Sequence, residues 1–168
     1  MNPKHLSTEF WVKLQRRKMH NNLQDITDCI LGIDTSNYKT SVAVIDSAGN
    51  IVCDHRQLLR VKQGERGLRQ SDALFQHVEN LPELIKKCFE DVDPQRICAV
   101  AFSDKPRPVE GSYMPVFKAG TGMGESIAAA LNVPAFRFSH QEGHIEAIKS
   151  GTPMEDLDEF LCYHLSGG

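Results

Sequence analysis

Two short runs of β-branched residues constrain this chain most: Ile30 to Ile33 and Val42 to Ile45. A polar stretch separates them, containing Asp34, Thr35, Ser36, Asn37 and Thr40. Apolar runs bounded by turn-forming residues predict a strand hairpin. The turn offers hydroxyls, backbone N–H groups and one carboxylate. Asp34, Thr35 and Ser36 are therefore candidates for binding an anionic or phosphate-bearing ligand. A carboxylate only accepts hydrogen bonds, so Asp34 also suits a metal-bound or activated water.

The next signals extend the hairpin into a sheet. Ser47-Ala48-Gly49-Asn50 is a turn, and Ile51 onward reads as a third strand. Strands are predicted near 30–35, 41–46, 51–60, 97–102, 135–138 and 160–165. The first three form an antiparallel meander. Leu74, Val78, Leu81, Leu84, Ile85, Cys88 and Phe89 recur at helical spacing, which predicts a helix over 71–90 capped by Ser71-Asp72. Pro82 falls inside it, where a kink or a split is expected. His77 sits off the apolar stripe and reads as a surface histidine.

Residues 103–121 read as irregular. Gly120, Gly122 and Gly124 are spaced loosely like a phosphate loop but lack its Lys-Ser/Thr. An Ala-rich helix follows from Ile127. The order of elements is that of an α/β domain with a mixed sheet: three antiparallel strands, then alternating helices and strands.

Composition removes several classes. The chain has 168 residues with a net charge of -3, so charge alone does not drive adhesion to nucleic acid. No apolar run reaches membrane-spanning length, and the first residues lack the apolar core of a signal peptide. A cytoplasmic protein with no membrane partner is expected. The five cysteines include no CxxC pair, which predicts reduced, mostly buried thiols. Residues 1–28 form an N-terminal extension of different composition.

His140 and His144 stand four apart at a helix start that Ser139 caps. That spacing stacks two imidazoles on one helix face, half of a zinc or iron site. His77, His164, Asp34 and Glu142 are open candidates for a third ligand. The glutamate of His-Gln-Glu-Gly-His is one place off the zincin position.

Ile-Leu-Gly-Ile-Asp-Thr-Ser at 30–36, His-Gln-Glu-Gly-His at 140–144 and the closing Ser-Gly-Gly at 166–168 resemble the tRNA N6-adenosine threonylcarbamoyltransferase family, TsaD in bacteria, with the older label O-sialoglycoprotein endopeptidase or glycoprotease. The resemblance implies an actin/sugar-kinase/Hsp70-like (ribonuclease H-like) lobe over 29–168. The C-terminal lobe, with a third metal ligand, would be absent. It also implies that His140 and His144 bind a divalent metal, zinc or iron. By the same resemblance, Asp34, Thr35, Ser36, Ser166, Gly167 and Gly168 contact an adenine nucleotide or threonylcarbamoyl-adenylate, and His77 lies on a helix facing tRNA.

The implied partners are the missing lobe, tRNA and other proteins of threonylcarbamoyladenosine synthesis. Asn37-Tyr38-Lys39-Thr40 and Lys105-Pro106-Arg107-Pro108 depart from the family pattern and point to a divergent paralogue. Four functions compete: metal-dependent transferase, metalloprotease, non-catalytic partner subunit, and ATPase or sugar kinase. The 168-residue chain alone is expected to be inactive on tRNA, and its uncovered face to favour self-association.

Overall fold

The computed structural model describes residues 28–36, 38–61, 64, 67–149, 152–154, 157 and 159–163. The N-terminal extension, save Asp28, lies outside them. So do His164 and Ser166 to Gly168. The elements are β1 (Cys29–Asp34), β2 (Lys39–Asp46), β3 (Ile51–Leu58), α1 (Gln70–Asp91), β4 (Ile97–Lys105), α2 (Phe117–Leu131), β5 (Ala135–Ser139) and α3 (His140–Lys149), with a 3-10 turn at Pro94–Arg96.

The five strands form one sheet in the order β3-β2-β1-β4-β5. β1 pairs antiparallel with β2, β2 antiparallel with β3, and β1–β4 and β4–β5 are parallel. The expected meander and mixed sheet are both present. The β2–β3 turn closes on Asp46. Its Oδ1 accepts from the N–H of Ala48 and of Asn50, each at 2.9 Å. Gly49 adopts a φ of +86°, which other residues rarely tolerate.

α1 packs on β2 and β3, α2 on β4 and β1, and the helices touch each other, so both cover the same face. Leu31, Ile33, Val42, Val44, Val100 and Phe102 from the sheet meet Leu81, Leu84, Ile85 and Cys88 from α1 and Ala119 and Ala128 from α2. β2 shows the period-2 pattern of a half-buried strand: Thr40, Val42 and Val44 are buried and their neighbours are not.

Five expectations need correction. α1 runs unbroken through Pro82. It starts at Gln70 after Arg69, which makes no side-chain cap bond, so Ser71 and Asp72 lie inside its first turn. There the Asp72 charge favours the positive helix end. His77 is fully buried, with Nδ1 hydrogen-bonded to Thr40 Oγ1 at 2.8 Å. It therefore does not face solvent. Finally, residues 159–163 form no strand, and β5 is the outermost strand on that side of the described sheet.

The glycines at 120, 122 and 124 are also not a loop. They lie within α2, which begins ten residues earlier than the Ala-rich run. Gly120 and Gly124 let the helix approach the sheet closely: a Cβ on Gly120 would meet Thr35 Oγ1 at 2.9 Å, and one on Gly124 would meet Phe102 Cδ1 at 2.3 Å.

Pro82 removes a backbone donor from the middle of α1, and its ring crowds the preceding turn. It is exposed, so no packing offsets the loss. Pro82→Ala should stabilise the fold by up to about 3 kcal/mol, the interval between the two residues inside a helix. Urea unfolding curves read the gain. An unchanged or lower midpoint would show that Pro82 has a compensating role.

Candidate functional site

Parallel β1, β4 and β5 end on the same edge of the sheet, where open α/β sheets place their ligands. Each delivers a side chain there. β1 ends at Asp34, β4 carries Ser103 near its end, and β5 runs directly into His140 at the start of α3.

The turn from β5 into α3 is built by a reciprocal cap. Ser139 Oγ accepts from the Glu142 N–H at 3.2 Å, and Glu142 Oε2 accepts from the Ser139 N–H at 2.7 Å. This capping box satisfies two orphan donors and sets the first turn. The Gln141 N–H donates to the Pro106 carbonyl at 3.1 Å, which ties α3 to the end of β4. Glu142 is thus held by its own cap, away from any ligand role.

On that turn the two histidines converge. His140 Nε2 and His144 Nε2 are 2.8 Å apart, with ring centroids 4.3 Å apart in an edge-to-face arrangement. On its other side, His140 Nδ1 donates to Asp34 Oδ1 at 3.2 Å. A carboxylate cannot donate, so Nδ1 carries a proton whether the ring is charged or neutral, and in the neutral ring the Nε2 lone pair faces His144. Asp34 therefore orients His140 from behind.

Asp34 also accepts from Ser36 Oγ at 2.5 Å and from Ser103 Oγ. Burial alone would raise its carboxyl. The His140 hydrogen bond and charge, with the bonds from Ser103 and Ser36, outweigh burial and hold it below the usual carboxylate range. Ser103 is the participant that sequence reasoning missed. It lies 69 residues from Asp34, and no local pattern marks it.

The remaining candidates fall in different places. Thr35 is fully buried: its Oγ1 donates to the Val116 carbonyl at 2.9 Å and accepts from the Gly120 N–H at 3.2 Å. Its side chain thus fastens β1 to the start of α2. Ser36 stays partly exposed beside Asp34. His77 is buried against Thr40, and Asn80 Nδ2 also donates to that hydroxyl at 3.2 Å.

The five-stranded mixed sheet, an antiparallel β1–β3 meander continued by parallel β4 and β5, has the fold of an actin/sugar-kinase/Hsp70-class lobe. YeaZ from Pseudomonas aeruginosa shares the fold, with a TM-score of 0.50 over 71% of this chain and 50% of that one at 19% identity. The chain belongs to the TsaD family, tRNA N6-adenosine threonylcarbamoyltransferase, whose sequence model matches residues 54–168.

A protein of that description from Neorickettsia sennetsu is 30% identical over 140 residues, covering 83% of this chain and 40% of its own length. A probable bifunctional tRNA threonylcarbamoyladenosine biosynthesis protein from Methanocaldococcus jannaschii is 29% identical over 138 residues, covering 82% of this chain and 24% of its own length. The chain thus spans well under half of these curated relatives. No helix among the described residues is long and apolar enough to cross a membrane.

Proposed function

We propose that this chain supplies one wall of a threonylcarbamoyl-transfer site acting on a tRNA adenosine, with His140 and His144 holding a divalent cation, zinc or iron. The observation that carries this is the 2.8 Å approach of the two Nε2 atoms, backed by the Asp34 contact to Nδ1. Two nitrogens each about 2.0–2.1 Å from one ion lie roughly 3 Å apart, so the donor set fits with little adjustment. A bound cation would polarise the carbamoyl carbonyl toward attack by the adenosine amine.

The chain's own residues set up that position. Asp34 keeps His140 in the tautomer that presents a lone pair, as carboxylates behind metal-bound histidines commonly do. His144 presents its own lone pair once its ring proton moves to Nδ1. Ser36 and the turn that follows β1 lie beside Asp34, where the phosphate of threonylcarbamoyl-adenylate would be held, with Ser166, Gly167 and Gly168 as the family-implied second contact. The third protein ligand would come from a C-terminal lobe.

The protease reading has less support, because Glu142, the nearest acid to the pair in sequence, is committed to the Ser139 cap. A non-catalytic partner subunit is the second reading. Tyr38 stands exposed at the turn, where the resembled family carries an acidic residue.

Zinc and iron(II) titrations of the purified chain, His140→Ala and His144→Ala test the proposal. Each variant should bind one equivalent fewer than the parent chain. Equal stoichiometry and affinity in all three would overturn the metal assignment and with it the transferase reading.

A further inference from the structure

We propose that Cys53, His55 and Cys88 form a second metal site, separate from the histidine pair, that takes a thiophilic divalent cation such as Zn2+. One donor atom from each of the three lies within 4.8 Å of the others. Cys53 and His55 are two apart on β3 and so point to the same face of the strand. That face meets the last turns of α1, which carry Cys88 and, one turn further on, Asp91.

The two sulfurs are 3.1 Å apart, and Cys88 Sγ also reaches the Val42 carbonyl at 3.7 Å. β3 lies at the opposite edge of the sheet from β5. Cys53 pairs with Val44, which pairs with Leu31 near the start of β1. The cluster therefore sits toward the amino ends of the parallel strands, away from the Asp34 edge.

Three observations favour a metal over an ordinary pair of buried thiols. First, two sulfurs and an imidazole are the donors zinc prefers, and three protein ligands with a fourth position for water is a common zinc arrangement. Around a tetrahedral zinc, sulfurs about 2.3 Å from the ion lie roughly 3.7 Å apart, so the thiols need to open by only about 0.6 Å. Second, His55 Nε2 contacts Asp91 Oδ2 at 2.8 Å. A carboxylate behind a histidine is the usual support of a metal ligand, since it holds one ring proton and leaves the other nitrogen to ligate. Third, His55 and Asp91 are partly exposed while both sulfurs are buried, which provides an entry path to a dry site.

The charges balance. Each thiol gives its proton to solvent, two metal–sulfur bonds form, and two thiolates neutralise the dication. No net charge is then left in the core.

Cobalt(II) is a spectroscopic substitute for zinc. The experiment uses the full chain carrying His140→Ala and His144→Ala, in reducing buffer, which removes the histidine pair. One equivalent of cobalt should produce thiolate-to-metal charge-transfer absorption in the near ultraviolet, and zinc should displace it. Cys53→Ser or Cys88→Ser alone should weaken the band, and the two together should abolish it. Because those positions are buried, His55→Ala and Asp91→Asn provide the same reading on partly exposed groups, with affinity falling about tenfold or more. Cobalt bound without the band, a band that survives loss of both cysteines, affinity untouched by His55→Ala, or no binding by a folded chain would each overturn the assignment.

Discussion

Gly124→Val should cost most of the stability of this domain, whereas Gly122→Ala, two residues away on the same helix, should raise it. The Cβ of any residue at 124 would stand 2.3 Å from Cδ1, 2.9 Å from Cε1 and 3.0 Å from Cγ of Phe102. These atoms include the root of the ring, so a small swing does not clear them. Phe102 is 2% exposed in the core, so it has no space to retreat into. Relief requires α2 to lift from the sheet, which also breaks the Thr35 bond to the Gly120 N–H.

Overpacking by one methyl costs about 1–3 kcal/mol. Alanine recovers about 1 kcal/mol of helix propensity, so Gly124→Ala should be moderately destabilising. Valine adds two further methyls and loses that propensity gain. Its cost approaches the roughly 5–15 kcal/mol that holds a domain together. At Gly122 nothing lies within 4 Å, so Gly122→Ala should gain about 0.5–1 kcal/mol. Denaturant unfolding of the three variants reads the contrast. Phe102→Leu in the Gly124→Ala background should recover part of the loss, because the two residues share one contact. Equal effects at 122 and 124 would mean that α2 does not sit this close to β4.

Asp34→Ala should weaken cation binding at the histidine pair by about 10–100-fold, the usual cost of removing the group that orients a metal-ligating histidine. It should also destabilise the fold by about 1–3 kcal/mol, because Ser103, buried at 7%, loses the acceptor for its hydroxyl. Asp34→Asn keeps the shape but can point a donor at His140 Nδ1, so it should restore stability better than affinity.

The same carboxyl makes stability pH-dependent. It titrates below its ordinary value in the folded chain. Its contribution is therefore fully present above the unfolded value of about 3.9 and is lost as pH falls through the lower folded value. The gap in unfolding free energy between the parent chain and Asp34→Asn should narrow as pH is lowered from 6 to 3, and continue to narrow until the folded value has been passed. A gap that stays constant would show that the Ser36, Ser103 and His140 bonds do not favour the charged form.

What the sequence by itself determined is local. Alternation along β2, the three- and four-residue recurrence along α1 and the Ser139–Glu142 capping pattern each follow from neighbouring residues, and each element forms where that pattern lies. The convergence of His140 and His144 belongs to the same group, since four residues on a capped helix bring two rings together.

Tertiary structure alone decided the rest, because those properties depend on partners distant in the chain. Asp34 is 106 residues from His140 and 69 from Ser103, and they meet only because three parallel strands end on one edge. Gly120 and Gly124 read as loop residues until the sheet beneath them shows why a helix there can carry no side chain. Thr35, a turn hydroxyl in sequence, is consumed by the backbone of α2. His77, off the apolar stripe, is buried because Thr40 arrives from β2 with a hydroxyl to satisfy it. A helical or strand period reports which face a residue shares, and it carries no information about what the fold lays against that face.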